Sequence, residues 1–201
     1  MTLTVVKPGL QTTIQSRPRT GMQHLGVPSG GAADALSMAL ANRLVGNAWD
    51  APVLEASLLG PTLRFECDMA AGIAGASAAL TLNGQEAEPH QTLFAREGDV
   101  LEIGAVSAGA RVYLAVPGGF EADDLLGSAA TNLQAGFGGF AGVRWAPAAE
   151  APTTLRDMTE RAAALMWDEP RKSLAATRTS DAARPALARL RRWWITSRAR
   201  C

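Results

Sequence analysis

Through roughly the first 142 residues, apolar and polar positions alternate in short runs separated by turn residues, a pattern that predicts strands. Thr2–Lys7 alternates until Pro8-Gly9, and Gln11–Gln15 resumes the extended pattern. Asn83-Gly84 lies between Ala79-Leu80-Thr81-Leu82 and Gln85-Glu86-Ala87. Both residues tolerate the positive φ of a two-residue turn, so a hairpin is expected there. Glu97-Gly98-Asp99 turns the chain into Val100–Ile103. Ser107-Ala108-Gly109 then precedes a further strand, Arg111–Val116, rich in strand-favouring residues. Strands spaced this closely predict a barrel or a sandwich.

Two stretches break the alternation. Asp34 is placed to cap a helix along which Leu36, Leu40 and Leu44 recur every four residues. That stripe reads as core, and Gly46-Asn47 supplies the stop. A second short helix is predicted over Ala122–Leu126. Further on, Thr154 and Asp157 resemble a capping box before Leu155, Met158, Ala162, Leu165 and Met166 at helical spacing. Pro170 ends that helix, and Pro185–Ile195 offers another, flanked by arginines.

Composition divides the chain at the same place. All 20 glycines lie at or before Gly142, and four of the five tryptophans lie after it. Residues 1–144 carry 8 basic and 13 acidic side chains, whereas residues 145–201 carry 11 and 6. The two net charges, −5 and +5, cancel, so global charge favours neither nucleic acid nor an anionic membrane. Two segments are expected: a domain over 1–142 and a helical or unstructured tail over 143–201. Cys67 and Cys201 make no disulfide framework, and the N-terminus lacks the pattern of a signal peptide. No window reaches the about 18 apolar residues of a membrane span, so a cytoplasmic location is expected.

Candidate chemistry concentrates in one loop. Gly21–Asp34 combines His24, Asp34 and several glycines, with Arg17 and Arg19 immediately before. Glycines let backbone amides approach a ligand, and arginine suits carboxylate or phosphate. Gly136-Phe137-Gly138-Gly139-Phe140-Ala141 formally satisfies a dinucleotide fingerprint. It lacks the strand before and the helix after that such a site needs, so it reads as a flexible connection. His24 and His90 are far apart in sequence, and no metal-ligand spacing occurs. Cys67, between Glu66 and Asp68, reads as structural rather than reactive.

Pro8–Gln15, His24-Leu25-Gly26-Val27-Pro28 and Leu40–Asn47 resemble successive signatures of the KipA family, the C subunits of bacterial 5-oxoprolinase. Leu54-Glu55, Gly60–Phe65, Leu114–Gly119, Leu126-Gly127-Ser128 and Ala135–Gly139 continue the series in register. The resemblance implies tandem cyclophilin-like β-barrels related to the carboxyltransferase region of urea amidolyases. One such barrel, mainly β with one or two short helices, is expected in residues 1–142. It further implies two partner subunits, one of KipI type and one of LamB/YcsF type. That assembly cleaves 5-oxoproline to glutamate with hydrolysis of ATP, which the complex binds. Carried over residue by residue, Arg19 would bind substrate, His24 would carry a proton and Asp34 would complete the catalytic set. Alternatives are a non-catalytic module that binds a KipI-type partner and a component related to urea amidolyase or allophanate hydrolase.

Three positions depart from the family pattern. Ser16-Arg17-Pro18-Arg19 replaces an Asp-Leu-Gly-Arg run, Gly30–Asp34 replaces Ser-Gly-Ala-Met-Asp, and Ala129-Ala130-Thr131 replaces Arg-Ser-Thr. An acid, a hydroxyl and a base are lost, which predicts impaired catalysis. The second barrel of the family has no trace after Val143, and the change to Arg, Ala and Trp resembles a shifted reading frame. Translating the underlying DNA in the other two frames should reveal second-barrel sequence; its absence from both contradicts the frame shift.

Overall fold

The computed structural model describes residues 3–139. The tail helices expected over Thr154–Met166 and Pro185–Ile195 lie outside the described residues. So do Phe140, Ala141 and Cys201. The elements run β1 (Leu3–Lys7), β2 (Gln11–Gln15), α1 (Ala35–Leu44), β3 (Val53–Ser57) and β4 (Thr62–Phe65). They continue with β5 (Met69–Leu82), β6 (Gln85–Glu86), β7 (Thr92–Ala95) and β8 (Val100–Ala115). One antiparallel sheet follows the order β1-β4-β8-β3-β2, and β5 adds pairs to β6, β7 and β8. The long strands β5 and β8 pair through three register shifts, which curl the sheet into a half-barrel. Among the described residues the fold is mainly β with one α-helix, as the sequence pattern predicts.

Alternation divides the residues of β8 between two cores. Val112 and Leu114 face the barrel interior with Val5, Leu54, Leu63, Phe65, Ile73 and Leu101. Tyr113 and Ala115 face α1, with Val53, Ala74, Met38 and Ala41. All five residues of β3 are buried, because this central strand is covered on both faces. The turn at Asn83-Gly84 has positive φ at both residues (54° and 76°) and sets Leu82 opposite Gln85.

Three expectations are corrected. The leucine stripe of α1 is not the core face: Leu36 is 81% exposed and Leu40 41%. The helix instead buries Met38, Ala41 and Asn42, while Leu44, the last of the stripe, is half-buried with its Cβ against Gly72 of β5. A Cβ on Gly72 would collide with the Ala41 carbonyl, so the helix rests directly on strand backbone. Second, Val100–Ile103 and Arg111–Val116 do not form separate strands. Ser107-Ala108-Gly109 is accommodated inside β8 by the bulges opposite Ser77 and Ala78. Third, Ala122–Leu126 is not helical: Leu126 has φ 56°, and Leu125 bridges Ser128 in a tight turn.

If Gly72 sets the distance between helix and sheet, Gly72→Ala should destabilise the domain by about 1–3 kcal/mol. Denaturant unfolding measures it, and an unchanged midpoint would show that the helix does not rest on this glycine.

Candidate functional site

The loop after β2 and the loop after β8 meet along one seam. Thr131 N–H donates to the Ile14 carbonyl at 3.0 Å, and the Thr131 hydroxyl reaches the same oxygen at 2.7 Å. The Ser16 hydroxyl accepts from Ala129 N–H at 3.1 Å and lies 3.4 Å from Ser128 Oγ. Ser128 in turn donates to the Arg17 carbonyl at 2.6 Å. These contacts cover the free edge of β2, which would otherwise expose unpaired backbone groups.

Arg19 joins the two loops. It is 1% exposed. Its Nε donates to the Leu125 carbonyl at 2.9 Å, and its Nη2 donates to the carbonyls of Ser128 (2.9 Å) and Ala130 (2.6 Å). The guanidinium also lies 4.8 Å above the Phe137 ring, in cation–π range. Burial pulls its pKa below the ordinary value, and the Asp124 charge opposes that shift. Among the described residues, Arg19 Nη1 is buried without a partner. The glycine-rich stretch is therefore not a flexible connection as far as Gly139. A Cβ on Gly138 would collide with Ala130 O and lie 2.6 Å from Arg19 Nη2, so this glycine fits against the clamp.

The three departures from the family pattern are neighbours in space. Ser16 is bonded to Ala129, and an ideal Cβ on Gly30 would lie 3.3 Å from Arg19 Nη1 and 3.9 Å from Ala130 Cβ.

The other two predicted site residues stand apart from that seam. Asp34 caps α1: its Oδ1 accepts from Leu36 N–H (3.1 Å) and Ser37 N–H (3.0 Å), and its Oδ2 from the Ser37 hydroxyl. These bonds, the Ser37 hydroxyl first, hold its carboxyl below the ordinary carboxylate value. His24 sits in a short 3₁₀ turn, Gln23–Leu25, and is exposed. No hydrogen bond ties His24, Arg19 and Asp34 to one another among the described residues. An open groove of about 470 Å³ is lined by Gln23, Gly26, Val27, Pro28, Asn132 and Gln134, and His24 is not part of its lining. Among the described residues, no group of three or more His, Cys, Asp or Glu side chains could hold a metal ion. His90 is occupied elsewhere, accepting from Gly75 N–H at 3.3 Å. Cys67 is a free thiol packed against the barrel core.

A second buried polar group was not read from the sequence as a site. Tyr113 OH donates to Glu55 Oε2 at 2.8 Å and accepts from Asp34 N–H at 2.7 Å. Glu55 Oε2 also accepts from Ala33 N–H (2.8 Å), and Arg111 lies 3.4 Å from Oε1. Burial, then the Glu55 charge, push the Tyr113 phenol well above its ordinary range, so it stays protonated. The network fixes the end of the glycine loop and the start of α1. Only the pairing of Leu54-Glu55 with Tyr113 in neighbouring strands could have signalled it.

Two substitutions test these assignments. Asp34→Ala should cost about 0.5–2 kcal/mol as a lost cap. Because the folded carboxyl is depressed, its contribution is present above the unfolded pKa and lost as pH falls through the folded value. Asp34→Asn should therefore flatten the acid limb of the stability curve, and an unchanged acid limb would refute the cap's role. Tyr113→Phe should cost about 1–3 kcal/mol by leaving Asp34 N–H and Glu55 underbonded.

Comparison with known proteins agrees with this architecture. The carboxyltransferase domain family, subdomains A and B, matches residues 25–193. That match continues past residue 142, whereas the alignments with two individual relatives span 139 and 140 residues. The chain is 40% identical to the urea amidolyase of Saccharomyces cerevisiae, over 69% of this chain and 8% of that protein. It is 34% identical to the C subunit of the 5-oxoprolinase of Escherichia coli, over 70% of this chain and 45% of that protein. The crystal structure of K. lactis urea amidolyase superposes with a TM-score of 0.68 at 33% identity. That superposition covers 77% of this chain and 10% of the other. The chain thus spans less than half the length of these relatives. A curled antiparallel sheet, a single capped helix and this breadth of similarity place the chain in the carboxyltransferase domain family.

Proposed function

We propose that this chain is a carboxyltransferase-type component of an ATP-dependent 5-oxoprolinase assembly that opens 5-oxoproline to glutamate. One observation carries the reading: the similarity to the C subunit of 5-oxoprolinase extends over 45% of that protein. The complete assembly would include two further subunits, of KipI type and of LamB/YcsF type, with ATP bound by the complex. Higher identity to urea amidolyase, 40% over 139 residues, favours a second reading, in which the substrate is a urea derivative. Both readings place an amide-type carbonyl at the reacting centre.

Within this frame His24 is the proton carrier, since it is exposed in the turn whose Gln23 lines the groove and imidazole is suited to proton transfer. Asp34 acts indirectly, because its carboxylate is committed to the helix start. Arg19 anchors an anionic part of the substrate through the nitrogen that the loops leave unpaired. Catalysis is impaired relative to the family, because Ser16, Gly30 and Ala129 lack the acid, the hydroxyl and the base of its pattern.

Co-expression with both partner subunits tests the reading. Oxoproline-dependent ATP hydrolysis that requires this chain supports it, and urea-dependent hydrolysis supports the second. Complex formation without either activity identifies a binding module instead. In an active complex, His24→Asn should lower turnover roughly 10²-fold or more with KM little changed. Unaltered turnover would exclude His24 as proton carrier.

A further inference from the structure

The face of α1 that points away from the sheet has no partner among the described residues. A helix lying on a sheet normally turns charged side chains outward. This one presents Leu36, Ala39 and Leu40, and Arg43 is its only charged residue. The inward face is already filled by Met38 and Ala41, so the helix is apolar on both sides.

Two aromatic residues widen that surface. Thr92 Oγ1 donates to the Leu44 carbonyl at 2.6 Å, which sets the outer face of β7 beside the helix. Strand alternation places Phe94 on the same face, where it is 78% exposed. On the other flank Asn42 Nδ2 donates to the Trp49 carbonyl at 3.3 Å, and Trp49 is 55% exposed. Single exposed leucines are ordinary, but Leu36, Leu40, Trp49 and Phe94 lie together on one side of the domain, as in an interaction surface.

The charges identify what this surface fits. Asp34 stands at one end of the leucine pair and Arg43 at the other, and both are exposed. The Ser37 hydroxyl and the helix amides hold the Asp34 carboxyl below the ordinary carboxylate value, so it is charged at neutral pH. Arg43 forms no ion pair among the described residues. A helix face with an acid at one end, a base at the other and leucines between is complementary to itself turned end for end. Laid antiparallel, Leu36 of one helix meets Leu40 of the other, and each Arg43 falls beside the opposite Asp34. An unrelated partner would require no such symmetry.

We propose that α1 is a two-fold interface through which two copies of this chain associate, helix against antiparallel helix, with Phe94 and Trp49 covering the flanks. One short helix and two aromatic side chains make a small interface, so the dimer is reversible and its population rises with concentration. The pairing needs neither substrate nor the other subunits.

Sedimentation equilibrium of the full chain, from low micromolar to near-millimolar concentration, tests this. A reversible dimer should appear, and Leu36→Glu should weaken it roughly tenfold or more by burying a carboxylate at the seam. Arg43→Glu sets acid against acid and should weaken it by about the same factor, whereas Arg43→Lys should leave it within about twofold. Phe94→Ser, on a different element, should also weaken it. All four positions lie outside the core, so the unfolding midpoint of the dilute variants should match that of the wild type. A chain that is monomeric at every concentration overturns the proposal. So does a dimer that Leu36→Glu and Phe94→Ser leave at full strength, or one that Leu36→Glu weakens and Arg43→Glu does not. A chain that is monomeric alone but loses a partner subunit through Leu36→Glu overturns it in favour of a face for that subunit.

Discussion

The buried guanidinium of Arg19 is the constraint on which the candidate site depends. Its bonds to Leu125, Ser128 and Ala130 fasten the loop after β8 to the loop after β2. Hydrogen bonds to a charged donor are worth about twice those between neutral groups, so three on one side chain form a strong tether. The Phe137 ring then closes over the cation, and Gly138 lets the backbone lie against it. Residues 120–139 contain no strand or helix, so this tether and the bonds of Thr131 to Ile14 and Ala129 to Ser16 are what hold them to the sheet.

A second anchor works from the opposite side. Glu55 and Tyr113 project from β3 and β8 toward α1 and hold Ala33 and Asp34 by their backbone N–H groups. The glycine loop is thus fixed near both ends, by Arg19 with Ser29 at its start and by Tyr113 at its finish. Between those points Gly30 and Gly31 have positive φ and make no hydrogen bonds through their N–H groups among the described residues. A segment fixed at its ends and open in the middle is suited to accommodate a ligand without reorganising the sheet.

Local chemistry was legible in the sequence, and long-range chemistry was not. The hairpin at Asn83-Gly84, the Asp34 cap and the stop at Gly46 each follow from residues within a few positions of one another. The orientation of α1 was not legible, since Leu36 and Leu40 satisfy a helical period yet face outward. The contact face is set by Gly72, on a strand some thirty residues later, against which the Ala41 carbonyl and Leu44 Cβ rest. Arg19 looked like a free anion-binding arm because its acceptors lie 106 to 111 positions away and are backbone oxygens. No residue type announces a carbonyl as a partner. That the runs holding Ser16, Gly30 and Ala129 depart from the family pattern was visible, but that Ser16 meets Ala129 and Gly30 lies beside Arg19 required the fold.

Hydrogen exchange of the wild-type chain and of Arg19→Lys tests the tether most directly. Lysine keeps the charge but cannot reproduce the planar set of donors. The account predicts faster exchange confined to the seam, at Ala129, Thr131, Asn132 and Gly139, with β3, β5 and β8 unchanged. Equal protection of these amides in both proteins, or a uniform loss across the sheet, would contradict it.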